Sequence, residues 1–324
     1  MDLLDRLPKA KVLVLGDIML DRYWWGTVTR ISPEAPVPIV KLGRVSVAAG
    51  GAANVAVNLA GIGAAPILVG AVGCDPEAVL LRRMLEESGV VSKHLIEVRD
   101  RPTTVKTRII AHSQQVARID QEVDGPLTGE ETEMIATSIS RLINSVDAVV
   151  ISDYGKGLLC PEVLASALQN GARTAPHRLV DPKGKNYSKY RGATVITPNR
   201  REAAEACNIE DTGPRSVEDA GRQLLDQHQF GAVLITRGEE GMTLFRTGED
   251  PVHFEALARS VYDVTGAGDT VIATLAASVA AGADLSDAAR LSNIAAGIVV
   301  EQVGTTAIQI NELRAALNGT RSRK

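Results

Sequence analysis

Short apolar runs alternate with longer amphipathic segments along most of this chain, and that rhythm constrains the fold more than any other feature. Lys11–Leu15, Ile67–Val72, Asp147–Ile151, His177–Val180, Thr194–Thr197 and Ala232–Thr236 are strand-sized. Gly51–Ala60, Glu77–Ser88, Pro161–Asn170, Arg201–Cys207 and Val217–Gln227 read as helices, the last with Ser216 placed to cap it. Strands and helices that alternate in this way predict an α/β fold, a mainly parallel central sheet with helices on both faces. Ligands collect beyond the strand C-termini of such sheets. Gly16-Asp17, Ser152-Asp153, Asp181, Asn199 and Arg237 fall at those ends.

Two stretches break the rhythm. Residues 23–42 alternate apolar and polar positions and then carry Pro33, Pro36 and Pro38; residues 98–120 contain Thr103–Ile110 and Val116–Asp120. Both read as β-rich insertions. Together they make a small β-sheet lid over the strand ends, or else extra edge strands of the main sheet. No repeat or linker interrupts the 324 residues, so we expect a single domain, with a frayed polar tail from Asn318.

Composition removes several classes of function. The net charge is −4 and aromatics make up 3% of the chain, which disfavours nucleic acid as a partner. The three cysteines are isolated, with no CxxC pair, as expected in a reducing cytoplasm. No apolar stretch reaches the length of a membrane span, and the N-terminal residues lack the pattern of a signal peptide. A GxxxxGK[ST] loop and a GxGxxG turn after the first strand are both absent, which disfavours P-loop and dinucleotide-binding folds.

One run points to chemistry. Asp263-Val264-Thr265-Gly266-Ala267-Gly268-Asp269-Thr270 opens onto an apolar segment, Val271–Ala281, of helical character. A helix start there aims free amides and the positive end of the helix dipole at one spot, which suits phosphate. Asp269 repels phosphate, so its presence needs another reason. Accepting the proton of an attacking hydroxyl is such a reason, and it suggests phosphoryl transfer to an alcohol. A second glycine-rich stretch, Gly50-Gly51-Ala52-Ala53-Asn54, suits either a sugar-binding backbone or tight helix packing. Arg30, Lys106, Arg108, Arg118, Lys156, Lys183 and Lys185 lie in or beside the insertions and strand ends. Singly each reads as solvated charge; as a set they favour an anionic substrate.

These motifs resemble the ribokinase, or PfkB, family of carbohydrate kinases over nearly the whole chain. The C-terminal signature is Asp263–Asp269 and the N-terminal one is Gly50–Asn54 with Gly70–Asp75. Thr197-Pro198-Asn199-Arg200-Arg201-Glu202 is similar to the family's Asn-x-x-Glu element, and Thr236–Gly241 to its nucleotide-side strand and turn. Gly16–Tyr23, Arg30–Pro38, Asp153–Gly157 and Val180–Lys185 resemble one branch, the heptose 7-phosphate kinases of lipopolysaccharide core synthesis. The resemblance implies a ribokinase-like fold and ATP-dependent phosphorylation of D-glycero-β-D-manno-heptose 7-phosphate at O1.

It further implies Asp269 as base, with the amides of Gly266, Ala267 and Gly268 facing the transferred group. Asp17, Gly51, Asn54 and Asp153 are expected at the sugar, and Arg30, Lys106, Arg108, Arg118, Lys156 and Lys185 at its phosphate. ATP is expected against Asn199, Arg200, Arg201, Glu202, Thr236, Arg237, Gly238, Gly241, Asn293 and Gly297. Mg2+ is expected to be held through water by Asn199 and Glu202. Relatives often pair their lids between subunits, implying a homodimer. Many also carry a nucleotidyltransferase domain with a His-x-Gly-His motif that is absent here, so a separate nucleotidyltransferase is expected. The open alternatives are the same chemistry on fructose 1-phosphate, tagatose 6-phosphate or ribose, and a catalytically inert sugar- or nucleotide-binding regulator.

Overall fold

A computed structural model describes residues 3–112, 114–169, 177–258, 261–302 and 304–321, the last three by backbone alone. Asn170, expected to end a helix, and residues 322–324 of the polar tail lie outside the described residues. The strands are β1 (Lys11–Gly16), β2 (Ile18–Ile31), β3 (Pro38–Gly51), β4 (Ala65–Gly73), β5 (Leu95–Val98), β6 (Thr104–Ala111), β7 (Gln114–Gln121), β8 (Ala148–Ser152), β9 (His177–Asp181), β10 (Val195–Ile196), β11 (Ala232–Thr236), β12 (Met242–Arg246) and β13 (Val252–Phe254). The helices are α1 (Leu3–Arg6), α2 (Ala52–Gly61), α3 (Pro76–Glu87), α4 (Gly129–Leu142), α5 (Pro161–Leu168), α6 (Arg200–Cys207), α7 (Pro214–His228), α8 (Ala267–Ala280), α9 (Leu285–Val299) and α10 (Ile310–Arg321).

Strand β1 shows how the sequence builds the core. Val12, Leu13, Val14 and Leu15 are all fully buried. Side chains alternate across a strand, so Val12 and Val14 enter one core with α2, α8 and α9, and Leu13 and Leu15 another with α4, α5 and α7. A strand buried on both faces must carry a continuous apolar run, which is what the sequence shows.

The main sheet has nine strands in the order β13-β12-β11-β10-β9-β8-β1-β4-β5. Pairing is parallel from β5 through β11, and β12 and β13 close the edge antiparallel. The insertions form a separate four-stranded sheet, β3-β2-β6-β7, and not additional edge strands of the main sheet. Its β2–β3 hairpin begins earlier and ends later than the alternation suggested, at Ile18 and Gly51. Both of its feet therefore stand at the ligand end of the main sheet. They are clasped by the Ala52 amide donating to the Asp17 carbonyl at 3.0 Å. Gly51 has φ +56°, and a Cβ there would lie 2.5 Å from that same carbonyl, so only glycine closes the hairpin onto α2.

Two helix starts, those of α7 and α8, differ from expectation by more than a single residue. α7 begins at Pro214 with Gly213 as its cap, and Ser216 lies inside it with its hydroxyl donating to the Gly213 carbonyl. Proline suits the first helical position, where no amide is needed. α8 begins at Ala267, four residues before the apolar run, so the glycine-rich turn is itself the helix's first turn. No described helix is long and apolar enough to cross a membrane.

Candidate active site

Gly266 caps α8 in the left-handed region, φ +79°, and a Cβ there would meet Asn54 Nδ2 at 2.7 Å. The Thr265 amide donates to Asp263 Oδ1 at 2.9 Å and the Ala267 amide to the Val264 carbonyl at 3.2 Å. Among the described residues, the amides of Gly266, Gly268 and Asp269 find no acceptor within the protein. The expected donor set is thus corrected: the Ala267 amide closes the turn, and the Asp269 amide joins the open ones. A Cβ on Gly268 would have no atom within 4 Å, so open space lies above the turn. Free amides, a helix N-terminus and open space beside Gly268 are features that suit an anion such as phosphate.

Asp269 is 3% exposed. Asn54 Nδ2 donates to its Oδ2 at 2.7 Å and the Tyr154 hydroxyl to its Oδ1 at 2.9 Å. Burial pushes its carboxyl up to about 7, against the two hydrogen bonds and with help from the negative charge of Asp21. A carboxylate pushed towards neutrality can accept a proton at neutral pH, the chemistry asked of a general base. Asn54 is fixed in turn. Asn58, one helical turn on, donates to the Asn54 carbonyl and Oδ1 at 2.9 and 3.0 Å. Asn58 Oδ1 then accepts from Thr270 and from the Ile308 amide. This polar chain joins α2, α8 and the C-terminal loop beneath the base.

Asp17 and Asp153, expected at the sugar, hold protein groups. Asp17 Oδ2 accepts the amides of Tyr154 and Lys156 at 2.9 and 3.1 Å. Burial raises its pKa, offset by those amides. Asp153 accepts from the Gly155 amide, Lys189 and the Tyr190 hydroxyl. The loop after β8 is thus pinned at both ends.

The expected basic set is largely paired. Lys106 binds Asp120 and Glu122, Lys156 binds Glu122 and Asp124, Arg118 binds Asp120, and Arg108 binds Asp21 while lying over the Tyr23 ring. Lys106 and Lys156 converge on one carboxylate, Glu122. Arg118 points outward from β7, half exposed. Lys185 is exposed beyond β9. Arg30 lies nine residues along β2 from Asp21, roughly 30 Å at strand spacing, near the far tip of the hairpin. The structure therefore does not bring Arg30 to the glycine-rich turn of its own chain.

Of the residues expected at ATP, Asn199 caps α6 in a reciprocal box with Glu202, whose other oxygen receives Lys183 at 2.8 Å. Thr236 bridges to this cap through its amide, which donates to the Pro198 carbonyl. Arg237 bonds Glu240 and Thr243, and Arg200 bonds Glu240 and Asp211. Arg201 turns to solvent and pairs with Glu205. Gly238 and Gly241 have positive φ in the turn between β11 and β12. Asn293 and Gly297, one turn apart on α9, face residues 255–258; Asn293 donates to the Glu255 carbonyl at 2.7 Å and Gly297 lies against Leu257.

Sequence reasoning passed over Tyr154, Asn58 and Asp21 as site residues. The signal for Tyr154 was its place directly after a strand C-terminus, between an aspartate and a glycine. For Asn58 it was a second asparagine one helical turn from Asn54.

The pfkB family carbohydrate kinase pattern matches residues 9–312. The bifunctional protein HldE of Citrifermentans bemidjiense is 42% identical over 309 residues, covering 95% of this chain and 63% of that protein. The protein of the same name from Pseudomonas putida strain GB-1 is 47% identical, covering 96% and 64%, and that of Caulobacter vibrioides 45%, covering 97% and 65%. The chain spans just under two thirds of the length of these relatives. Arabidopsis thaliana ribokinase complexed with ribose and ATP superposes with a TM-score of 0.76 at 18% identity, covering 95% of this chain and 98% of that one. Escherichia coli phosphofructokinase-2 in complex with substrates and products does so at 0.78 and 17%, covering 96% and 98%. Those likenesses establish the fold, and the family pattern, running through nearly the full length, establishes more: the chain belongs to the pfkB family of carbohydrate kinases.

Proposed function

We propose that this chain transfers the γ-phosphoryl group of ATP to O1 of D-glycero-β-D-manno-heptose 7-phosphate, forming the 1,7-bisphosphate. One observation carries the reading: a buried carboxylate, Asp269, pushed to about 7, sits in the first turn of a helix whose free amides form an anion cradle. Asp269 accepts the proton of the anomeric hydroxyl. The amides of Gly266, Gly268 and Asp269 meet the charge that grows on the transferred group; a donor set of this kind contributes ~3 kcal/mol or more. Asp17 and Asn54 line the sugar side, and Asn199, Glu202, Thr236–Gly238, Asn293 and Gly297 the ATP side.

The described residues contain no group of three or more His, Cys, Asp or Glu able to hold a metal. The oxygen donors Glu202 and Asn199 suit Mg2+, which gives up water reluctantly and is carried by nucleotide phosphates, and they would reach it through water. When bound, the ion neutralises phosphate charge.

The heptose is supported by the loops at 16–23, 30–38, 153–157 and 180–185 and by the HldE relatives. Its 7-phosphate, in this proposal, displaces Glu122 and Asp124 from Lys106 and Lys156, with Arg108 and Lys185 alongside. The lid pairs with that of a second copy of the chain; exposed Ile31, Val37, Leu42, Val45, Val116 and Ile119 on its strands and turns support this.

An ATP-turnover assay across sugar phosphates tests the reading. The heptose 7-phosphate is expected to show the highest kcat/KM, above fructose 1-phosphate, tagatose 6-phosphate and ribose. Unphosphorylated heptose is expected to lose at least about tenfold, the worth of ~1.5 kcal/mol of charge-assisted bonding. Equal values would contradict the phosphate site, and no turnover of any sugar would mark an inert regulator.

A further inference from the structure

The loop after β8 is built to aim one phenol. The Tyr154 and Lys156 amides are held by buried Asp17, the Gly155 amide by Asp153, and Asp153 by Lys189 and Tyr190. Gly155 and Gly157 take φ of +72° and +93°, turning the chain sharply on either side of Lys156. From this scaffold the Tyr154 hydroxyl donates to Asp269 Oδ1 at 2.9 Å, while Asn54 donates to Oδ2 at 2.7 Å. A donor on each oxygen fixes the plane of the carboxylate.

We propose that Tyr154 is a positioning residue for phosphoryl transfer: its O–H orients the Asp269 carboxylate towards the acceptor hydroxyl and tunes its affinity for that hydroxyl's proton. The proposal rests on Asp269 being the base. Each carboxylate oxygen has two lone pairs, so the phenol leaves one on Oδ1 for the sugar. Burial and the charges of Asp269 and Asp181 hold the phenol well above its usual range, so it remains a donor throughout neutral pH. The other groups facing Asp269 are Asp21 from β2, itself paired with Arg108, and Asp181 at the end of β9, with Lys183 and Glu202 beyond it. Asn54 and Asn58 from α2 are neutral, and α8 presents its N-terminal dipole.

A donor to a carboxylate favours the ionised form. Tyr154→Phe therefore raises the Asp269 pKa and moves the acidic limb of kcat/KM against pH upward by about one unit. The variant should be about tenfold slower near pH 6 and converge on wild type near pH 9. Titration of the sugar phosphate is common to both enzymes, so the difference reports the protein. If Tyr154→Phe does not fold, 3-fluorotyrosine at position 154 keeps the ring and strengthens the donor, and the limb should move down. A limb that stays in place, or a loss equal at every pH, overturns the proposal. Asp269→Asn, assayed in parallel, separates the two claims. Near-wild-type turnover there overturns the base assignment and the role of Tyr154 with it. An inactive Asp269→Asn beside an unmoved Tyr154→Phe limb overturns Tyr154 alone.

Discussion

Gly266 and Gly268 stand two residues apart and have opposite reasons to be glycine. Gly266 holds a left-handed φ and abuts Asn54. Gly266→Ala is expected to destabilise the fold by about 1–3 kcal/mol, seen as a lower denaturation midpoint, and to displace Asn54 from the base. Gly268 is helical, with empty space where its Cβ would go. Gly268→Ala should hold or raise stability by up to about 1 kcal/mol and still lose turnover, because the methyl group fills the cradle. Equal stability losses in the pair, or full activity in Gly268→Ala, would contradict this picture. That this turn opens a helix was legible in the sequence, from two glycines and an aspartate before an apolar run. What lay beyond reading was which amides stay open. Val264 accepts the Ala267 amide only because the chain turns there, and no residue type announces it.

Among elements, α8 began four residues earlier than its apolar pattern, since glycine's poor helix propensity argues for placing it outside. The free amides of a first turn and the fit to Asn54 override that preference. α2 and α8 are joined by Asn58, whose Oδ1 takes donors from Thr270 and Ile308 while its amide holds Asn54. Asn58→Ala strands buried donors, at about 1–3 kcal/mol each. A fall of several degrees in Tm together with reduced turnover is expected, and an unchanged Tm would show that the chain of bonds carries little. The basic residues illustrate the other limit of sequence reading. Their charge and rough placement were visible, but Lys156 meets Glu122 and Asp124 from more than thirty residues away. Charge is a property of residues, and its compensation is a property of the fold.

At the scale of the whole molecule, a nine-stranded sheet forms the core and a second sheet of four strands rises from the end of β1. The alternating apolar runs sufficed for the first, because a parallel sheet buried on both faces must be written that way. The second sheet was legible only as a break in rhythm; its register, and its feet at Ile18 and Gly51, come from pairing across the chain. If two lids pair, sedimentation should report a dimer, and Val45→Lys with Ile119→Lys should report a monomer; a wild-type monomer at micromolar concentration would contradict pairing. The central claim, however, concerns one carboxylate, and kcat for Asp269→Asn with ATP and heptose 7-phosphate tests it most directly. A folded variant that loses ~10²–10⁴-fold is the predicted result for a general base; a folded variant within a few-fold of wild type would contradict it.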